Sequence, residues 1–125
     1  MKFLTDSKNE ELIEKFIGWI CNELQIQPKS IEVCTDAHFD ENVTGYLFEN
    51  DNTSFTVFAN ENRKNITDFF ITIAHEMIHV KQYMKQGLGF FLVKEQHVPY
   101  KDRWWEIEAF KNAPLYVEKF VKENF

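Results

Sequence analysis

The sequence predicts an α+β fold in one domain, residues 1–125: an N-terminal helix, a small three-stranded and mostly antiparallel sheet, a long central helix and a C-terminal helix. Three observations predict it. Apolar residues recur at helical spacing in three stretches, near residues 8–25, 66–86 and 102–121. Between the first two lie three short runs of strand length, with alternating or β-rich residues. The chain is 44% hydrophobic with thirteen Phe, which is material for one core and excludes a disordered chain.

The elements follow in order. Ser7, with Glu10 three residues on, has the pattern of a capping box. Leu12, Ile13, Phe16, Ile17, Ile20 and Leu24 then form a helical stripe, so a helix is expected from about Lys8 to Gln25, stopped ahead of Pro28. Ile31 to Thr35 alternates apolar and polar residues, as a short strand does. Asp36 to Asn42 is polar and reads as a loop. Val43 to Glu49 and Ser54 to Ala59 flank the turn-forming cluster Asn50-Asp51-Asn52-Thr53, and together they predict a hairpin. Asn60 to Lys64 connects it to the central helix. Asn65 is the expected N-cap there, and Asp68 adds charge to the first turn. Ile66, Phe69, Phe70, Ile73, Ala74, Met77, Ile78 and Met84 give that helix a wide apolar face. Gly87 ends it, so it runs from about Ile66 to Gln86. Leu88 to Val93 is an apolar patch, of which Gly89 to Val93 reads as a lid, a dimer patch or a buried connection, and a loop follows through Pro99. The last helix starts near Asp102 and runs toward Val121, with a bend expected at Pro114.

Charge and composition narrow the function. The net charge is −6 and no basic block occurs, so nucleic acid and anionic membranes are excluded as expected partners. Met1-Lys2-Phe3-Leu4 turns polar at once, and no apolar run has the length of a signal peptide or a membrane span. A cytoplasmic setting is the expectation. Cys21 and Cys34 make no disulfide framework; they read as small core residues, with a pairing between them left open.

The chemistry lies in His75-Glu76-Met77-Ile78-His79 on the central helix. Positions four apart sit one turn above each other, so both imidazoles can hold one cation. Glu76 points about 100° further round, where it can reach a water and act as general base. The pattern predicts Zn²⁺ as cofactor and metal-assisted hydrolysis as the reaction class, most often of a peptide bond. Such sites take three protein ligands. Gln82 and Lys85 stand where the metzincin extension requires Gly and His, so that class is excluded. His97, Glu106 and Glu108 remain as third-ligand candidates. Residues two apart on a helix diverge by about 200°, so one of the two glutamates, not both, can face the metal.

His75-Glu76-Met77-Ile78-His79, followed by Trp105-Glu106-Ile107-Glu108-Ala109-Phe110, resembles the gluzincin metallopeptidases of the thermolysin-like superfamily. It also resembles small phage and bacterial metallopeptidases with the pattern W-E-I-E-A. The resemblance covers about residues 70 to 112. It implies a minimal zincin fold, with zinc held by His75, His79 and a Glu of the last helix that precedes a small residue. Glu108-Ala109 matches that position, so the resemblance, rather than periodicity, favours Glu108 over Glu106. Asn112 stands where thermolysin-like members carry an Asp that supports a metal-binding His. An edge strand beside the motif helix, Ser54 to Ala59 or the strand before it, is implied to bind an extended peptide.

The function expected is a zinc metallopeptidase acting on peptide or protein substrates, with Glu76 as general base and Tyr100 and Arg103 as first choices for the oxyanion donor. Tyr83 and His97 are further donor candidates. Trp104 and Trp105 read as a pocket wall or as packing. The alternative is a non-catalytic zincin-fold module, a regulator or an accessory protein of a phage or mobile element; a general base at Glu76 speaks against it. A deformylase reading fails because neither Cys lies in the Gly-rich setting that its ligand requires.

Overall fold

A four-stranded mixed sheet, with its helices packed on one face, forms the frame of the computed structural model, which describes residues 1–36, 43–62 and 65–125. The elements are β1 (Lys2–Thr5), α1 (Glu10–Leu24), β2 (Ser30–Cys34), β3 (Gly45–Asp51), β4 (Ser54–Ala59), α2 (Ile66–Gln86), α3 (Leu88–Lys94), a 3₁₀ turn (Tyr100–Asp102) and α4 (Trp104–Asn124). The strand order is β1-β2-β4-β3. β1 and β4 run parallel to β2, and β3 runs antiparallel to β4. The α+β class therefore holds. The expected three strands are four among the described residues, and two of the three pairings are parallel rather than antiparallel.

Register explains which face is covered. Phe3 pairs with Ile31 and Ile31 with Phe55, so these side chains form one row; Val33, Val57 and Leu47 form the next. Ile31, Val33, Phe55, Val57 and Ala59 are buried under the helices, as period-two alternation requires. Phe16 of α1 sits at the centre of the helical layer. It meets Phe70 of α2 edge-on at 5.2 Å and Phe120 of α4 at 5.0 Å.

The hairpin β3–β4 forms where its turn cluster predicts, and β4 spans Ser54–Ala59 as expected. α2 starts at Asn65, whose side chain accepts the Asp68 N–H, and ends at Gly87 in the left-handed region at φ 67°. The apolar run after Gly87, for which no helix was expected, is the helix α3. Pro114 lies inside an unbroken α4. The capping box at Ser7 does not form: the Ser7 hydroxyl accepts the Asn9 N–H and donates to Glu61 instead. Cys21 and Cys34 are both free thiols. The loop expected over Asp36 to Asn42 lies, past Asp36, outside the described residues, as do residues 63–64 of the connection to α2. Among the described residues, no helix is long and apolar enough to cross a membrane.

Candidate metal centre

α2 is buried on two sides. One side is apolar and enters the core. The other carries Thr72, Glu76, His79 and Gln82, spaced by four, three and three residues, and all four are buried despite their polarity. His75 lies beside this stripe. α4 crosses α2 at the same level and brings Glu106 from its first turn. The Glu106 Oε1 lies 3.0 Å from His75 Nε2 and 3.1 Å from His79 Nε2. One ligand atom from each of the three residues lies within 4.8 Å of the other two.

The donor set has a chemical consequence. Gln82 fixes the state of His79. Its Nε2 donates to the Trp105 carbonyl at 3.0 Å and to Glu108 Oε1 at 2.7 Å, and both of those are acceptors. Its Oε1 therefore faces His79 Nδ1, at 2.6 Å, and the proton of that bond belongs to Nδ1. In the neutral ring, Nε2 then carries a lone pair aimed at a carboxylate oxygen. Two converging lone pairs repel unless a cation lies between them, either a proton or a metal ion. Two imidazoles and a carboxylate suit zinc, whose tetrahedral ligands stand about 3.4 Å apart for bonds of about 2.1 Å. The observed separations of 3.0 and 3.1 Å lie within a few tenths of an ångström of that.

Electrostatics follow from burial and these partners. Burial pushes the Glu106 carboxyl up, but the hydrogen bonds to His75 and His79 outweigh it and hold the group well below the usual carboxylate range. Burial alone would lower His79; the bond to Glu106 and the charges of Glu76 and Glu106 raise it instead. Burial pushes Glu76 up to about 7, against the pull of His79 and His75. Glu76 Oε2 lies in the same cavity as the cluster, near the Gly45 backbone at the start of β3. Tyr100 joins it there. Burial, followed by the nearby Glu106 charge and the hydrogen bond to it, pushes its hydroxyl up to about 12. The cavity continues on the other side of Glu76 between Thr72, Phe110 and Pro114, so the cluster sits midway along a groove beside β3.

The structure thus brings His75, Glu76, His79 and Tyr100 together, and adds Glu106 where Glu108 was expected. The Glu108 carboxylate is turned to Lys81 Nζ at 2.8 Å and to Gln82. Arg103 is also turned away: its guanidinium donates to the backbone carbonyls of Val98 and Gln96, at 2.9 and 3.4 Å. Asn112 donates to the Glu108 carbonyl and, among the described residues, meets no histidine. His97 is exposed in the turn after α3. Tyr83 lines the cavity while its ring packs on Phe55. Trp105 is buried and lines the cavity, whereas Trp104 packs edge-on against Phe91. β3, the strand before Ser54–Ala59, is the edge strand that lines the groove. Sequence reasoning noticed Gln82 as the residue that breaks the metzincin pattern but missed its position, three residues past His79, as a signal. Comparison of this chain with family models, with curated proteins and with solved structures finds no match.

Proposed function

We propose that this chain is a small zinc-dependent metallopeptidase whose metal ligands are His75, His79 and Glu106. The observation that carries the reading is the convergence of those three acceptors beside a buried carboxylate, Glu76, in a groove that runs along β3, an edge strand of the sheet. Two imidazoles and one carboxylate also suit ferrous iron. Glu76 favours zinc, because hydrolysis needs a proton carrier at that place. Bound there, zinc would supply a water of lowered pKa and polarise a carbonyl.

The chain's own residues supply the rest. Glu76 takes a proton from the attacking water on a carboxylate oxygen and returns it to the leaving amine. In the zinc-free chain burial raises the Glu76 carboxyl to about 7, so the group can take up a proton near neutral pH. Tyr100 keeps its proton at neutral pH and is the hydroxyl donor placed to meet a developing oxyanion. An extended peptide adds to the outer edge of β3 and is held across the groove by main-chain hydrogen bonds.

The test is metal content together with turnover. Protein purified without added metal should hold about one zinc per chain, and His75→Ala and Glu106→Ala should lose it. Glu76→Gln should keep the zinc and lower peptide-cleavage kcat by about 10²–10⁴-fold. Wild type that takes up no zinc on reconstitution, or Glu106→Ala that binds it as wild type does, sinks the ligand assignment. Full cleavage by Glu76→Gln sinks the mechanism.

A further inference from the structure

We propose that Gln82 is the positioning residue of this site: its amide selects which nitrogen of His79 faces the cluster and ties the helix of the two histidines to the helix of Glu106. The role rests on the metal reading above. Gln82 is fully buried, 0% exposed, yet each hydrogen of its amide and its oxygen has a partner. Its oxygen accepts a hydrogen bond from His79 Nδ1. One hydrogen goes to the carbonyl of Trp105, the residue before Glu106. The other goes to Glu108, which Lys81 neutralises from the outside at 2.8 Å. One side chain thus touches a candidate ligand on α2 and the backbone beside another on α4.

The orientation of the amide follows from these partners. Turned over, it would set its oxygen against a carbonyl and a carboxylate. Both of those bonds would be lost at a fully buried side chain, where an unmade hydrogen bond costs most. The arrangement also gives Glu108 a task. It is not a ligand; it holds the amide that holds the ligand. Outer partners of metal-binding histidines fix tautomer and ring orientation, and their loss commonly weakens metal binding by about 10–100-fold.

The experiment has two readouts. Zinc affinity is measured by competition with a chromophoric chelator. The tautomer of His79 is read in zinc-free protein from long-range ¹H–¹⁵N imidazole correlations above neutral pH. Wild type should carry its proton on Nδ1. Gln82→Met, similar in volume and without polar hydrogens, should mix the tautomers and weaken zinc binding by about 10–100-fold. Should Gln82→Met fail to fold, Glu108→Ala tests the same chain of bonds from the partly exposed end, and should weaken zinc about fivefold, the loss of roughly one hydrogen bond. Glu118→Ala, on the exposed part of α4, should change neither readout. A folded Gln82→Met with wild-type affinity and an unmixed tautomer overturns the role, as does an unchanged Glu108→Ala where Gln82→Met does not fold. If wild type binds no zinc but its Nδ1 tautomer is lost in Gln82→Met, the metal reading fails and the positioning role stands.

Discussion

Gly45 lacks a side chain because α2 leaves no room for one. A Cβ there would lie 2.5 Å from Thr72 Cγ2 and 2.6 Å from the Phe58 carbonyl, with Glu76 Oε2 next at 3.6 Å. Thr72 is β-branched and buried, and the carbonyl belongs to a paired strand, so neither neighbour yields easily. Gly45→Ala is therefore expected to cost about 1–3 kcal/mol in urea denaturation, as overpacking does. A change near zero would mean that β3 shifts freely away from the candidate site. Cys21 makes a second expectation at the same scale. Burial pushes its thiol up to about 12 from the 9.0 of a free thiol, so little thiolate exists at pH 8. Cys21 should react with a disulfide reagent on the order of 10²–10³-fold more slowly in the folded protein than in urea. Fast labelling of the native chain at Cys21 would show that α1 opens.

The elements divide by how their signal is written. α2 was legible from end to end, because cap, period and terminator agree: Asn65 accepts the Asp68 N–H, the apolar residues repeat at helical spacing, and Gly87 takes φ 67°. Asn65→Ala should accordingly cost about 1 kcal/mol by thermal or urea denaturation. β1 was not legible. It has four residues, it leaves Leu4 exposed, and it becomes a strand only by pairing with β2. α3 was hidden for the opposite reason, since seven residues without a polar face show no period. α4 explains why the choice between Glu106 and Glu108 was not legible. Its bulky Ile107, Phe110, Leu115 and Val121 suggest a buried face without settling which Glu borders it, and they are 49–59% exposed. The face that packs on α2 is Trp105, Ala109, Ala113, Val117 and Phe120. At 100° per residue, Glu106 lies about 40° from the middle of that face and Glu108 about 120° from it. The alanines were the signal, because small residues let two helices approach closely enough to share a site. Ala109→Leu should thus destabilise by about 1–3 kcal/mol and weaken zinc binding, while Ile107→Ala should stay within about 0.5 kcal/mol of wild type. Denaturation of both variants decides; an equal cost for Ile107→Ala would mean that its exposed face is covered in solution.

The whole molecule joins these parts, since a cluster shared by α2 and α4 exists only while the two helices are docked, and Phe16 of α1 packs against both. Zinc, on the reading proposed, binds the folded chain and not the unfolded one. At a thousandfold excess over Kd it would add about 4 kcal/mol, on the order of 10–20 °C in Tm for a chain of this size. The pH dependence of that gain follows from the charged groups. Burial raises Glu76 from 4.5 to about 7, so zinc-free stability falls as pH rises above 4.5, and the loss is complete above about 7. Burial lowers His79, but the bond to Glu106 together with the charges of Glu76 and Glu106 raises it above 6.5; its contribution is whole below 6.5 and is lost as pH climbs through the raised value. Glu106 is lowered below 4.5, its histidine bonds outweighing burial, so its contribution is present above 4.5 and disappears in acid. Zinc-free protein should therefore weaken between pH 5.5 and 8. Zinc needs the same ligands without protons, so its affinity should strengthen over the same interval. The two trends have opposite sign, and the Tm difference between zinc-loaded and chelator-treated protein should widen steadily from pH 5.5 to 8. Glu106→Ala should show no zinc-dependent difference at any pH. A difference in wild type that stays constant or narrows with rising pH would mean that zinc acts through groups other than His79 and Glu106, and the shared-helix site would have to be abandoned.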